Sequence, residues 1–138
     1  MDKLKVIADF DWLDEEEVIG ILGHDSLRGT DVYSFEFDKK WLQKHSDIFL
    51  GGDLQNFSGI QYNSERNKIF GSFSDSLPDR WGRRLIDLRY NNDLKEQGKP
   101  ARHLSDWDYI MGVEDELRMG GFRFKDFSSD SFICSKPN

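Results

Sequence analysis

The sequence predicts an α+β domain in which a small antiparallel sheet is covered by two to three helices. Two patterns give the sheet. Apolar residues alternate at Leu4, Val6, Ala8 and Phe10, then at Val18, Gly20 and Leu22, then at Tyr33, Phe35 and Phe37, which is the period of strands with one buried face. The connections between these segments are shorter than the dozen or so residues of a parallel crossover, so neighbouring strands run antiparallel. A third pattern gives the main helix: Trp81, Leu85 and Leu88 recur at i, i+4 and i+7 and form one apolar stripe.

Taken in order, Asp11 to Glu17 and His24 to Thr30 are the expected turns of the meander, with Glu15-Glu16-Glu17 as a solvated run. Asp38 is placed to cap a short helix from Lys39 to His45 that turns Trp41 and Leu42 towards the sheet. Ile48 to Leu50 is a short apolar piece closed by Gly51-Gly52. From Gly51 to Asn67 the chain is rich in Gly, Asn, Ser and Gln and has no clear period, so it reads as a loop anchored by Phe57 and Tyr62. Ile69 to Phe73 reads as a return to the sheet, or as a close backbone approach at Gly71.

Ser76 or Asp75 then caps the long helix, Pro78 suits its first turn and Asp79 suits the macrodipole there, while Gly98 and Pro100 end it. A third helix starts after Ser105, carries Trp107, Ile110 and Met111, and stops at Gly112. Phe122-Arg123-Phe124 is the final strand. The domain is expected over residues 1–125, with 126–138 as a polar, flexible tail.

At 138 residues the chain suits one domain that buries roughly two thirds of its unfolded surface. Eleven Phe, four Trp and four Tyr supply the core without help from a metal or a disulfide. The single Cys134 cannot form an intrachain bridge, and no basic segment followed by an apolar run opens the chain; both fit a cytoplasmic protein. No run approaches the roughly 20 apolar residues of a membrane span.

The net charge is −7, and all of the excess lies early: residues 1–78 hold 8 Lys/Arg against 15 Asp/Glu, while 79–138 hold 11 of each. Such a balance repels phosphate at long range and disfavours direct nucleic-acid binding. His24, His45 and His103 are far apart with no carboxylate or cysteine at ligand spacing, so no metal site is expected. Gly51-Gly52 lacks the Lys and helix start of a phosphate loop, and Gly120-Gly121 precedes a strand, so no nucleotide cofactor is expected either.

Three segments, VYSFEFDKKWL at 32–42, FGSFSDSLPDRWGRRLIDLR at 70–89 and DYIMGVEDELRMGGFRF at 108–124, carry a resemblance. In order and spacing they resemble the N-terminal subdomain of HipA-type serine/threonine kinases, the toxins of bacterial toxin–antitoxin systems. The resemblance implies a curved antiparallel sheet or partial barrel with helices. It also implies a kinase core downstream, with an ATP-binding loop and a catalytic Asp and Asn. None of these is present, so the chain is expected not to be an enzyme. In split systems of the HipBST type the subdomain is a separate HipS-like protein that neutralises a HipT-like kinase, while a HipB-like protein binds DNA. A start at Met1 and a polar SKPN end fit such a small protein. The alternatives are the front piece of a single-chain HipA-like kinase, which the 108–124 segment favours, and an unrelated acidic adaptor.

The candidate partner-binding residues are Asp79, Arg80, Trp81, Arg83, Arg84, Asp115 and Arg118. Trp81 either contacts a partner, where Trp is enriched at hot spots, or packs under Phe70 and Phe73. The arginines either pair with acidic or phosphorylated groups of a kinase or support the helix through Asp79–Arg83 and Arg83–Asp87. Asp115, Arg118 and Arg123 fix a turn through an Asp–Arg pair, or dock against a kinase lobe.

Overall fold

A computed structural model describes residues 2–9, 13, 15–48, 50, 53–77, 80–112 and 122–128, without the side chains at 75–76 and 80–81. Among the described residues five strands form one open antiparallel sheet: β1 (Asp2–Ala8), β2 (Glu17–Leu27), β3 (Thr30–Phe37), β4 (Ile60–Tyr62) and β5 (Phe122–Asp126). Their order is β4-β3-β2-β1-β5, so the meander is the centre and the two late strands close its edges. Three helices, α1 (Lys39–Lys44), α2 (Arg80–Glu96) and α3 (Asp106–Gly112), complete the α+β domain.

The expected alternation holds along β1 and β3. Leu4 pairs with Leu22, Leu22 with Phe35 and Val6 with Phe124, and all of these are buried on one face. In β2 the phase changes once. A bulge lets Val6 pair with Gly20 and Ile7 with Val18, so Ile19 is extra, becomes fully buried, and Val18 is left 40% exposed. Val18 is therefore not a core residue, as its spacing from Gly20 had implied. A Cβ on Gly20 would meet the Glu36 carbonyl oxygen and the Phe35 ring, so no side chain fits at this crossing of strands.

The expected turn from His24 to Thr30 is much shorter. The β2–β3 ladder continues to the Leu27–Thr30 pair, and only Arg28 and Gly29, both at positive φ, make the turn. Two residues at positive φ match the right-handed twist of the flanking strands. His24 is thereby drawn into the inward row of β2 and buried. The Glu15 to Glu17 run is not a solvated turn throughout: Glu17 begins β2, bonded to Lys44 Nζ and to His45 Nε2 at 3.0 Å each, and Glu16 accepts from Arg123 at 2.7 Å.

Asp38 caps α1 as expected, its Oδ1 accepting from the Lys40 and Trp41 N–H groups, and Trp41 is buried. The stretch expected to be wholly loop contains β4, paired to β3 from Ser34 to Glu36. Its anchor is the buried Leu54, whereas Phe57 and Tyr62 are exposed. Ile69 to Phe73 does not rejoin the sheet. Gly71–Ser76 is a 3₁₀ turn whose Gly71 N–H and Ser72 hydroxyl are both held by the Asp53 carboxylate. The close approach at Gly71 is real, and it is to that carboxylate. The turn drives Phe73 into the centre of the core, with ring centroids 5.3 Å from Phe35, 5.1 Å from Phe122 and 6.3 Å from Phe70.

Candidate functional site

The chemistry of α2 and α3 is set by how their ends are capped and by which face of α2 turns inward. Ser105 and Asp108 form a reciprocal capping box at the start of α3: the Asp108 N–H donates to Ser105 Oγ at 3.2 Å and the Ser105 N–H donates to Asp108 Oδ2 at 3.0 Å. Two further bonds fix this helix to the sheet side. The Trp107 N–H donates to the Tyr33 hydroxyl at 2.9 Å, and the Ile69 N–H donates to Asp106 Oδ2 at 2.9 Å. Burial pushes the Tyr33 phenol far above its ordinary value, so it stays protonated. Trp107 stacks on the His24 ring at 5.1 Å and 14°, and each nitrogen of that ring faces a carboxylate, Asp2 at 3.2 Å and Asp31 at 2.7 Å.

At its other end α2 closes as a Schellman motif, with Gly98 at φ +74°, the Gly98 N–H donating to Lys95 O and the Lys99 N–H to Leu94 O. Gly98 ends the helix as expected. Its starting cap lies outside the described residues, since Pro78, Asp79 and the side chains of Asp75 and Ser76 are not among them.

The inward face of α2 is polar and aromatic. Arg83 lies 5.1 Å over the Tyr109 ring, and the Tyr109 hydroxyl donates to Asp87 at 2.9 Å. Burial first, and this bond to Asp87 second, raise the Tyr109 phenol above its ordinary value. Further along, Arg102 ties the helix down from three sides: its N–H donates to Asn91 Oδ1, its guanidinium lies 5.2 Å over Tyr90, and its Nη2 reaches Asp108 at 3.0 Å. Sequence spacing gave no hint of Tyr109 and Arg102 as the clamps of this helix, because both lie beyond the chain reversal at Gly98.

The stripe of leucines therefore points away from the domain. Leu85 is 53% exposed and Leu88 63% exposed, on a helix that rests mainly on α3. Arg84 and Arg89 are exposed beside them. Of the candidate residues, the structure places Arg84 on this open face and Arg83 on the inward one, where it also lines an open groove of about 460 Å³ with Asp53, Ser74 and Asp106. Asp87 is turned to Tyr109. The side chains of Arg80 and Trp81, together with Asp79, Asp115 and Arg118, lie outside the described residues. Arg123 contacts Glu16 at 2.7 Å and Asp9 at 3.9 Å; the Asp–Arg pair expected within its own segment involves Asp115 and Arg118, outside the described residues.

Among the described residues no group of three His, Cys, Asp or Glu is arranged to hold a metal ion, and no helix is long and apolar enough to cross a membrane. No curated protein and no solved structure matches the chain. A family model described as the HipA N-terminal domain matches residues 12–102, a range that begins after β1, takes in β2, β3, α1, β4, the 3₁₀ turn and all of α2, and ends before α3. Since that range is well over half of the 138 residues, the chain belongs to the HipA N-terminal domain family.

Proposed function

We propose that this chain is a non-catalytic, HipS-like module that docks on a HipT- or HipA-like serine/threonine kinase and restrains it, with the open face of α2 as the docking surface. The observation that carries this reading is the pair Leu85 and Leu88, both more than half exposed, on a long helix inside the family-matched range. Burying two such side chains in a partner is worth about 1.5–3 kcal/mol each before the costs of association are subtracted. In this reading the chain supplies a surface, the kinase supplies the chemistry, and a HipB-like protein supplies any contact with DNA. Both partners act in the cytoplasm. The same face would serve a kinase lobe in cis if the chain is the front of a longer HipA-like protein, a second reading favoured by the resemblance of residues 108–124 to longer members.

Co-expression with a HipT-like kinase tests the proposal. The wild-type chain is expected to relieve growth arrest and to be captured by the kinase. A Leu85→Ser, Leu88→Ser variant is expected to bind about tenfold more weakly or worse with an unchanged circular dichroism spectrum, because neither side chain contributes to the core. Undiminished arrest in the presence of soluble wild-type chain would sink the antitoxin role.

A further inference from the structure

Around the two leucines the open face of α2 is cationic, although the chain as a whole is acidic. Arg84 and Leu88, Leu85 and Arg89, Leu88 and Asn92, and Asn92 and Lys95 stand three or four residues apart, so these residues share one side of the helix. Arg84, Arg89 and Lys95 are exposed, and none makes an ion pair among the described residues. Of the acids of the helix, Asp87 is bonded to Tyr109, while Asp93 and Glu96 stand four residues after Arg89 and Asn92, so acids enter this side only in the last turns, beyond the two leucines. An open groove of about 390 Å³ runs beside Leu88, lined by Asp87 as well as by Lys95 and Lys99.

We infer that the surface received by α2 is an aliphatic patch rimmed by carboxylates, which face Arg84 and Arg89 on either side of the two leucines. The inference rests on the kinase-docking reading and adds the chemistry of the opposing surface. Charge complementarity selects it. An acidic rim on the partner supplies counter-charges that offset the cost of desolvating these cations, and it speeds encounter more than it adds to contact energy. A nucleic acid fits less well, because the centre of the patch is aliphatic and residues 1–78, with net charge −7, repel phosphate.

Affinity of the full chain for a purified HipT-like kinase, measured at about 50 and about 200 mM salt, tests this. Wild-type binding is expected to weaken several-fold over that range. Arg84→Glu with Arg89→Glu is expected to weaken binding about tenfold at low salt and to flatten the salt dependence. Lys39→Glu, a single reversal on the exposed start of α1, serves as the control and is expected to stay close to wild type. Melting curves confirm that each variant folds. If the kinase binds the double variant as tightly as wild type, the acidic-rim inference is overturned while the docking reading stands. Absence of wild-type binding at either salt overturns both. A salt-sensitive dimer of the chain alone, abolished by the same double variant, or tight binding to duplex DNA through these arginines, assigns the face to another occupant and overturns the inference.

Discussion

Glu17 shows how a residue that belongs to an acidic run in sequence acquires a structural task. As the first residue of β2 it receives Lys44 and His45 from α1, so one carboxylate joins the helix to the sheet. The hydrogen bond from Lys44 is the largest influence, and with His45 it outweighs the cost of burial, holding the Glu17 carboxyl below its ordinary value. A carboxyl lowered by folding stabilises the native state above its unfolded pKa and loses that contribution as pH falls through the folded value. Glu17→Gln should therefore lower the urea midpoint at pH 7, and the gap to wild type should close as the pH falls below the ordinary carboxyl range and through the lowered value of Glu17. A gap that persists unchanged into acid would mean that the carboxylate charge is not what joins α1 to β2. His24 makes the same point without titration. Its neighbours Asp25 and Ser26 suggest a turn, yet its in-row position beside Tyr33 and under Trp107 buries it.

Helices α2 and α3 depend on each other in one direction. The shorter α3 is fixed to the sheet by Tyr33 and by the buried Trp107 and Ile110, and to the segment before the 3₁₀ turn by the Asp106 carboxylate, whereas α2 rests on α3 through Tyr109 and, through Arg102, on Asp108. Ser105→Ala removes half of the capping box and should cost about 1 kcal/mol, read as a fall in melting temperature. Because Asp108 serves both the box and Arg102, amide exchange in α2 should speed up more in this variant than exchange in β2. Equal acceleration in both elements would show that α2 is not carried by α3. The same dependence accounts for the open leucines: a helix held by polar and aromatic contacts at its inward face has no apolar demand left to meet with Leu85 and Leu88.

For the molecule as a whole, Phe73 is the joint between the sheet and the segment that covers it. It is fully buried and touches rings from β3, from β5 and from its own turn, while Asp53 holds that turn in place. Phe73→Ala should cost about 3–5 kcal/mol in a urea titration, a large fraction of the stability of a domain this size. A loss of under about 1 kcal/mol would show that the cover is not part of the cooperative core. Strand pairing was legible in the sequence where short-range alternation specifies it: β1, β3, β5 and α1 with its Asp38 cap lie where the pattern puts them. Strand β4 was not, because three residues among Gly, Ser and Asn carry no period and are strands only through pairing with Ser34 to Glu36. The candidate site was legible in part. The spacing of Trp81, Leu85 and Leu88 marked a stripe on α2 but not whether it faces the core.

By itself the sequence determined the α+β class, the antiparallel meander, the places of the helices and the family resemblance, since all of these depend on local periodicity, caps and ordered motifs. Only the tertiary structure decided the bulge that turns Val18 outward and Ile19 inward, the burial of His24, the 3₁₀ turn in place of a strand, and the outward face of α2. The physical reason is common to these cases. Each depends on contacts between residues far apart in the chain, such as Asp53 with Ser72, His24 with Trp107 and Asp87 with Tyr109, and hydrophobic spacing along one segment says nothing of what will stand opposite it.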